Sequence, residues 1–194
     1  MSGLRTPRSA VALQSPGTQA RAEKRRFIKR LAIAAVGGFW VGALGQSAVI
    51  QPPILFVWNS SASAPLGLYE VFPDRHAQRG DTVIARMPQA WREFAATRRY
   101  LPSNVPLVKR IAASEGQEVC ALGSRIFIDG VPVAERKLRD GQGRPLPWWE
   151  GCWRLSHGQF FLLMAKNPDS FDGRYFGVTG SADILGPARL VWAR

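Results

Sequence analysis

Arg125-Ile126-Phe127-Ile128-Asp129-Gly130-Val131-Pro132-Val133 reads as two short strands joined by a two-residue turn. Asp-Gly suits such a turn, because both central residues must take positive φ. Strands joined this tightly run antiparallel. Outward from this hairpin the same signature recurs: short apolar or β-branched runs bounded by Gly, Pro, Asn or Asp at 54–58, 67–72, 81–86, 105–112, 118–122, 158–164 and 188–192. Many short strands of this kind predict a mainly β fold of antiparallel sheets or a partly closed barrel, and argue against a parallel α/β sheet. Residues 137–150, polar and punctuated by Gly and Pro, read as an excursion holding Trp148 and Trp149. One short helix is expected at 89–100, where Pro88 stands at a tolerated first-turn position and Trp91, Phe94 and Ala95 share a face. That face packs on the core or meets a membrane interface; core packing is the plainer reading.

Upstream of the first strand the charge is lopsided. The 194 residues carry a net charge of +12, and residues 1–30 hold Arg5, Arg8, Arg21, Lys24, Arg25, Arg26, Lys29 and Arg30 against Glu23 alone, a surplus of seven. Residues 31–50 then carry no charge at all. Twenty such residues make a helix about 30 Å long, the thickness of a bilayer's hydrocarbon core. Basic residues before an apolar span keep the amino terminus cytoplasmic and send the remainder across. Three segments follow: a basic, disordered cytoplasmic tail (1–30), a membrane anchor or signal segment (31–50) after which the chain is exported, and a folded domain (51–194). Ala43-Leu44-Gly45 offers small residues at a cleavage position, so a removable signal is the alternative to an anchor. The domain keeps a surplus of only five positive charges and no nucleic-acid motif, so no specific nucleic-acid partner is expected.

Cys120 and Cys152 both lie in that exported domain. A lone pair there is more naturally a disulfide than a metal site, and His76 and His157 stand at no zinc spacing to them. The bridge would contribute about 3–4 kcal/mol by loop-closure entropy. No metal or cofactor is expected.

Three runs carry the chemistry: Asn59-Ser60-Ser61-Ala62-Ser63-Ala64-Pro65, Pro106-Leu107-Val108-Lys109-Arg110-Ile111 and Asn167-Pro168-Asp169-Ser170-Phe171-Asp172-Gly173-Arg174-Tyr175-Phe176-Gly177. A serine hydroxyl is a poor nucleophile until a base takes its proton. A lysine can be that base where burial lowers its pKa toward about 7–8, and Val108 and Ile111 give Lys109 an apolar setting. Taken singly, Ser63 is one serine in a polar turn, Lys109 one basic residue among many, and the third run a well-satisfied turn. In order along one chain, they resemble the serine, lysine and Ser-x-Asp-x-Arg boxes of type I signal peptidases, and most closely the TraF-type conjugal transfer peptidases.

That resemblance implies a signal-peptidase-like β fold and a serine endopeptidase with a Ser/Lys dyad, Ser63 as nucleophile and Lys109 as general base. It implies Ser61 and the Ser63 N–H as oxyanion donors, Ser170 as the group orienting the lysine, and Asp172 either paired with Arg174 or taking a direct part. The implied substrate is a pilin precursor or other exported protein, cleaved and in some such enzymes cyclised, at the periplasmic side of the inner membrane beside a conjugative secretion apparatus. Departures from the signal peptidase pattern are Ala64 where methionine is usual and Lys166-Asn167-Pro168 before the last box; both are similar to the TraF branch. The alternatives are a general leader peptidase and a non-enzymatic basic component of the transfer apparatus. His76 and His157 have no nucleophile motif beside them and read as surface histidines.

Overall fold

The computed structural model describes residues 16–49 and 53–194. Its helices are α1 (Pro16–Val49), α2 (Gln89–Thr97) and α3 (Gly173–Phe176). Its strands are β1 (Phe56–Asn59), β2 (Gly67–Val71), β3 (Thr82–Ala85), β4 (Leu107–Ala113), β5 (Glu118–Leu122), β6 (Arg125–Ile128), β7 (Val131–Glu135), β8 (Gly151–Arg154), β9 (Gln159–Leu162), β10 (Thr179–Gly180) and β11 (Ile184–Ala193). Each strand pairing is antiparallel. A seven-stranded sheet runs β1-β2-β11-β3-β4-β9-β10, and a smaller one runs β7-β6-β5-β8. The expected mainly β architecture is therefore the observed one, with the larger sheet open at β1 and β10.

The hairpin that suggested this fold is β6–β7. Ile128 opposes Val131, and Asp129 and Gly130 have φ of 49° and 77°, the positive pair that a type I′ turn requires. Pro132 is accommodated because β7 is the outer strand of the smaller sheet, where a missing N–H breaks no ladder on the open side.

Several elements differ from expectation, each for a nonlocal reason. Residues 151–154 carry no strand signal of their own, yet form β8 by pairing with β5; Cys120 and Cys152 stand directly opposite and are joined by a disulfide. The last strand begins at Ile184, four residues early, because register shifts at Ile184/Gly186 and Leu190/Trp192 let one strand pair first with β3 and then with β2. A second short helix, α3, occupies what reads as a turn, and its start is capped by the Asp172 side chain. The α2 face packs inward: Ala95 is buried with Met87, Leu107 and Phe176, Trp91 lies against them, and Phe94 meets Tyr100 and Phe171 edge-on and stacked.

Gly67 opens β2 immediately after the serine-rich turn with φ of 145°, and a Cβ there would sit 2.0 Å from the Trp192 carbonyl oxygen. Gly67→Ala is expected to cost about 3 kcal/mol by forcing β2 and β11 apart. A urea midpoint unchanged by the substitution would show that this close approach carries no weight.

Residues 16–49 form a unit described by itself. The helix starts at Pro16, so residues 16–30, expected as part of a disordered tail, are helical; Ala, Glu, Lys and Arg are strong helix formers, and the apolar run continues the helix. Residues 1–15 lie outside the described residues. Phe27, Leu31, Ile33, Val36, Phe39 and Trp40 are exposed around the helix. Among the described residues no helix is long and apolar enough to cross a membrane. The expected span 31–50 falls partly outside them, since the side chains of 41–50 are not described.

Candidate active site

The serine-rich run is the turn between β1 and β2. Ala64 is its anchor: it is buried with Val57, Tyr69, Val71, Ile84 and Val108, so the turn rests on the core while its serines stay above it. The Ser63 and Ser61 hydroxyls lie 3.1 Å apart, and the Ser63 N–H makes only a long, 3.4 Å bond to Ser61 Oγ. Two donors thus converge beside the Ser63 hydroxyl.

Lys109 projects from β4, a strand held on both sides by β3 and β9. Strand alternation puts Leu107 and Ile111 on the lysine's face and Val108 on the opposite one. Leu107, Val108 and Ile111 are all buried on this strand; Leu107 and Val108 line the same cavity as Lys109, and Val108 also packs with Ala64 beneath the serine turn. Lys109 is 2 % exposed, and its Nζ donates to Ser170 Oγ at 2.7 Å. Burial pushes the ammonium down to about 8; Asp172 pulls it up, and Arg174 pushes it further down.

The third run builds the wall behind Ser170. Asp172 and Arg174 are buried and paired twice, Nε to Oδ1 and Nη2 to Oδ2, each at 2.9 Å. Asp172 also accepts from the backbone N–H groups of Met164 and Arg174. Arg174 spends its other donors on the carbonyls of Glu135, Met164 and Asn167. Both side chains are occupied in fixing the loop that carries Ser170.

Ser61, Ser63, Lys109 and Ser170 line one cavity of about 350 Å³, with Met87, Leu101, Val105, Leu107, Leu146 and Phe171 among its apolar walls. The structure brings these four predicted residues together from positions up to 109 apart in sequence. Asp172 and Arg174 stand behind the cavity rather than in it. Ser63 and Lys109 share the cavity without a hydrogen bond between them; the bond Lys109 makes there is the one to Ser170. A dehydrated amine of lowered basicity, a hydroxyl and two converging donors are the parts that acyl transfer requires. His76 and His157 line a separate cleft, where His157 meets Glu115 at the surface. Glu118, Cys120 and Cys152 are the one grouping of metal-ligand types among the described residues, and its sulfurs are bonded to each other.

A family model described as signal peptidase, peptidase S26, matches residues 18–193. The chain belongs to the signal peptidase S26 family. Among its relatives are a probable conjugal transfer protein TraF of Sinorhizobium fredii, 37 % identical over 144 residues covering 69 % of this chain and 74 % of that protein, and the conjugal transfer protein TraF of Agrobacterium fabrum, 33 % identical over 182 residues covering 87 % and 97 %. A signal peptidase I from Enterococcus faecalis V583 superposes with a TM-score of 0.36 at 20 % identity, covering 58 % of this chain and 97 % of that one. Membership rests on the family model and the TraF relatives.

For an S26 chain, the sequence reading overlooked two parts of the cavity. Residues 137–150 read as a polar excursion, yet Lys137, Arg139, Asp140 and Leu146 form one wall. The excursion is held there by Asp140, which accepts from Tyr100 Oη and Arg144 Nε, and by Arg98, which donates to the Pro145 carbonyl. Three side chains that tie down the serine turn, Asn59, Tyr69 and Asn167, were also missed. Asparagine just before a turn is a recognisable signal, because its side chain bonds backbone two residues on; Tyr69 Oη reaches back only four residues, to the Pro65 carbonyl, and the Asn167 contact alone is long-range.

Proposed function

We propose that this chain is a serine endopeptidase that uses Ser63 and Lys109 to cleave an exported pilin precursor for a conjugative transfer apparatus. The observation that carries the reading is the buried amine of Lys109, lowered to about 8, in the same cavity as the Ser63 hydroxyl. Lys109 takes the serine proton as Ser63 Oγ attacks the scissile carbonyl, and returns it to the leaving amine. Ser61 Oγ and the Ser63 N–H donate to the oxyanion. Ser170 orients the lysine. Asp172 acts through its pair with Arg174 and by its charge on Lys109, since both its oxygens are already engaged. The contact between serine and lysine forms when substrate fills the cavity and the turn tightens, as hydrogen bonds at unliganded sites often do.

The TraF relatives support the assignment to conjugal transfer over a general leader peptidase or a non-enzymatic basic component. The domain works on the periplasmic side of the inner membrane, tethered through residues 31–50, a reading carried by the basic tail before an uncharged span. The acyl-enzyme is resolved by water or by the pilin's own amino terminus; a product lighter by one water than the linear peptide marks the second.

The test is the pH dependence of prepilin processing by the full chain. Lys109 must be neutral to act as base, so kcat/KM rises with pH, reaches half its plateau near 8 and levels off above it. A midpoint near the ordinary imidazole value of about 6.5 would replace the lysine with a histidine and overturn the dyad.

A further inference from the structure

The structure assigns Asn59 as the positioning residue that holds the nucleophile turn in its reactive shape. This rests on the reading of Ser63 given above. Asn59 is the last residue of β1 and only 6 % exposed. Its Oδ1 accepts from the Ser61 N–H at 3.1 Å, and its Nδ2 donates to the carbonyls of Ser61, Ala64 and Pro65 at 3.0, 3.1 and 3.0 Å. A single amide thus grips Ser61 at both of its backbone groups and draws in the carbonyls on either side of Ser63.

Two consequences bear on chemistry. With its N–H and its C=O both bonded to Asn59, Ser61 has little freedom to move its hydroxyl away from Ser63, where it stands 3.1 Å from Oγ and 3.4 Å from N. The Ser63 N–H, in a turn held in this shape, makes only the long bond to Ser61 Oγ and stays available to an oxyanion. The Ala62 carbonyl accepts from Asn167 Nδ2 at 3.0 Å, and the Asn167 carbonyl in turn accepts from the Ser170 N–H and from Arg174 Nη2. Asn167 therefore ties the serine turn to the loop that orients Lys109. Asn59 sets the turn's internal shape, and Asn167 sets its distance from the base.

The test compares full-length wild type, Asn59→Ala, Asn59→Asp and Ser63→Ala on a purified conjugative prepilin, with melting temperature, KM and kcat measured for each. Asn59→Asp keeps the acceptor for the Ser61 N–H and removes the amide donor. Both Asn59 variants are expected to fold and to lose about 100-fold in kcat with KM within about threefold, the signature of a displaced reacting group. A kcat within about threefold of wild type in folded Asn59→Ala overturns the assignment and leaves the Ser63 reading intact. Global unfolding of both Asn59 variants also overturns it, because Asn59 would then hold the fold rather than the turn. Ser63→Ala that still processes the prepilin overturns the functional reading, and the Asn59 assignment with it.

Discussion

Under the proposed mechanism, replacing Lys109 by methionine is expected to abolish prepilin processing and to make the domain harder to unfold at pH 7. The two effects share one cause. Burial lowers the ammonium from 10.5 to about 8, so at pH 7 the folded protein carries a buried charge that the unfolded chain keeps in water. A shift of that size corresponds to about 3 kcal/mol. The cost is fully present below the folded pKa of about 8. It shrinks as pH rises from 8 toward 10.5, where the unfolded chain holds more protons than the folded one, and it is gone above 10.5. Methionine has similar length and no charge; it leaves Ser170 without its partner, an offset of about 1 kcal/mol. The net expectation is a gain of about 2 kcal/mol at pH 7 in denaturant unfolding, with processing lower by about 10⁴-fold for want of a base. Processing that survives within about tenfold of wild type would remove Lys109 from the mechanism. A variant that melts lower than wild type at pH 7 would show that the buried charge costs nothing.

Asp172→Asn is expected to cost about 4 kcal/mol, the largest stability loss argued for this chain, because it leaves the buried Arg174 guanidinium without its counter-charge. The same change acts on catalysis at a distance. Asp172 is the charge that holds the Lys109 pKa up, so its removal moves the midpoint of the rate–pH profile below 8. A double replacement, Asp172→Leu with Arg174→Met, removes both charges and is expected to regain most of the lost stability. If processing returns with stability, the carboxylate is architectural and electrostatic. A stable double variant that stays inactive at every pH would give Asp172 a direct part in the chemistry.

The β hairpin at 125–133, the α2 face and the disulfide could all be read from the chain, because each depends on local turn chemistry, periodicity or compartment. Strand β8 and the early start of β11 could not. Gly151-Cys152-Trp153-Arg154 has no alternation and becomes a strand only because β5 lies alongside, and β11 is long only because two bulges let it serve two partners. Helix α3 was hidden for a similar reason: Asp172 reads as a turn residue until its carboxylate is seen capping Gly173–Phe176.

At the candidate site the division follows the same physics. Ser61, Ser63, Lys109, Ser170, Asp172 and Arg174 could each be named from boxes of adjacent residues, since a motif is local in sequence. That Lys109 is dry enough to lose its proton near neutrality is a property of what surrounds it, Leu107 and Ile111 on its own strand and the loop fixed by the Asp172–Arg174 pair. That Asn59 grips the serine turn, that Asn167 links it to Ser170 across more than a hundred positions, and that 137–150 walls the cavity are likewise products of packing. Residue identity supplied the candidate groups. Their desolvation and mutual placement depend on distances between strands remote in sequence, and only the folded chain sets those.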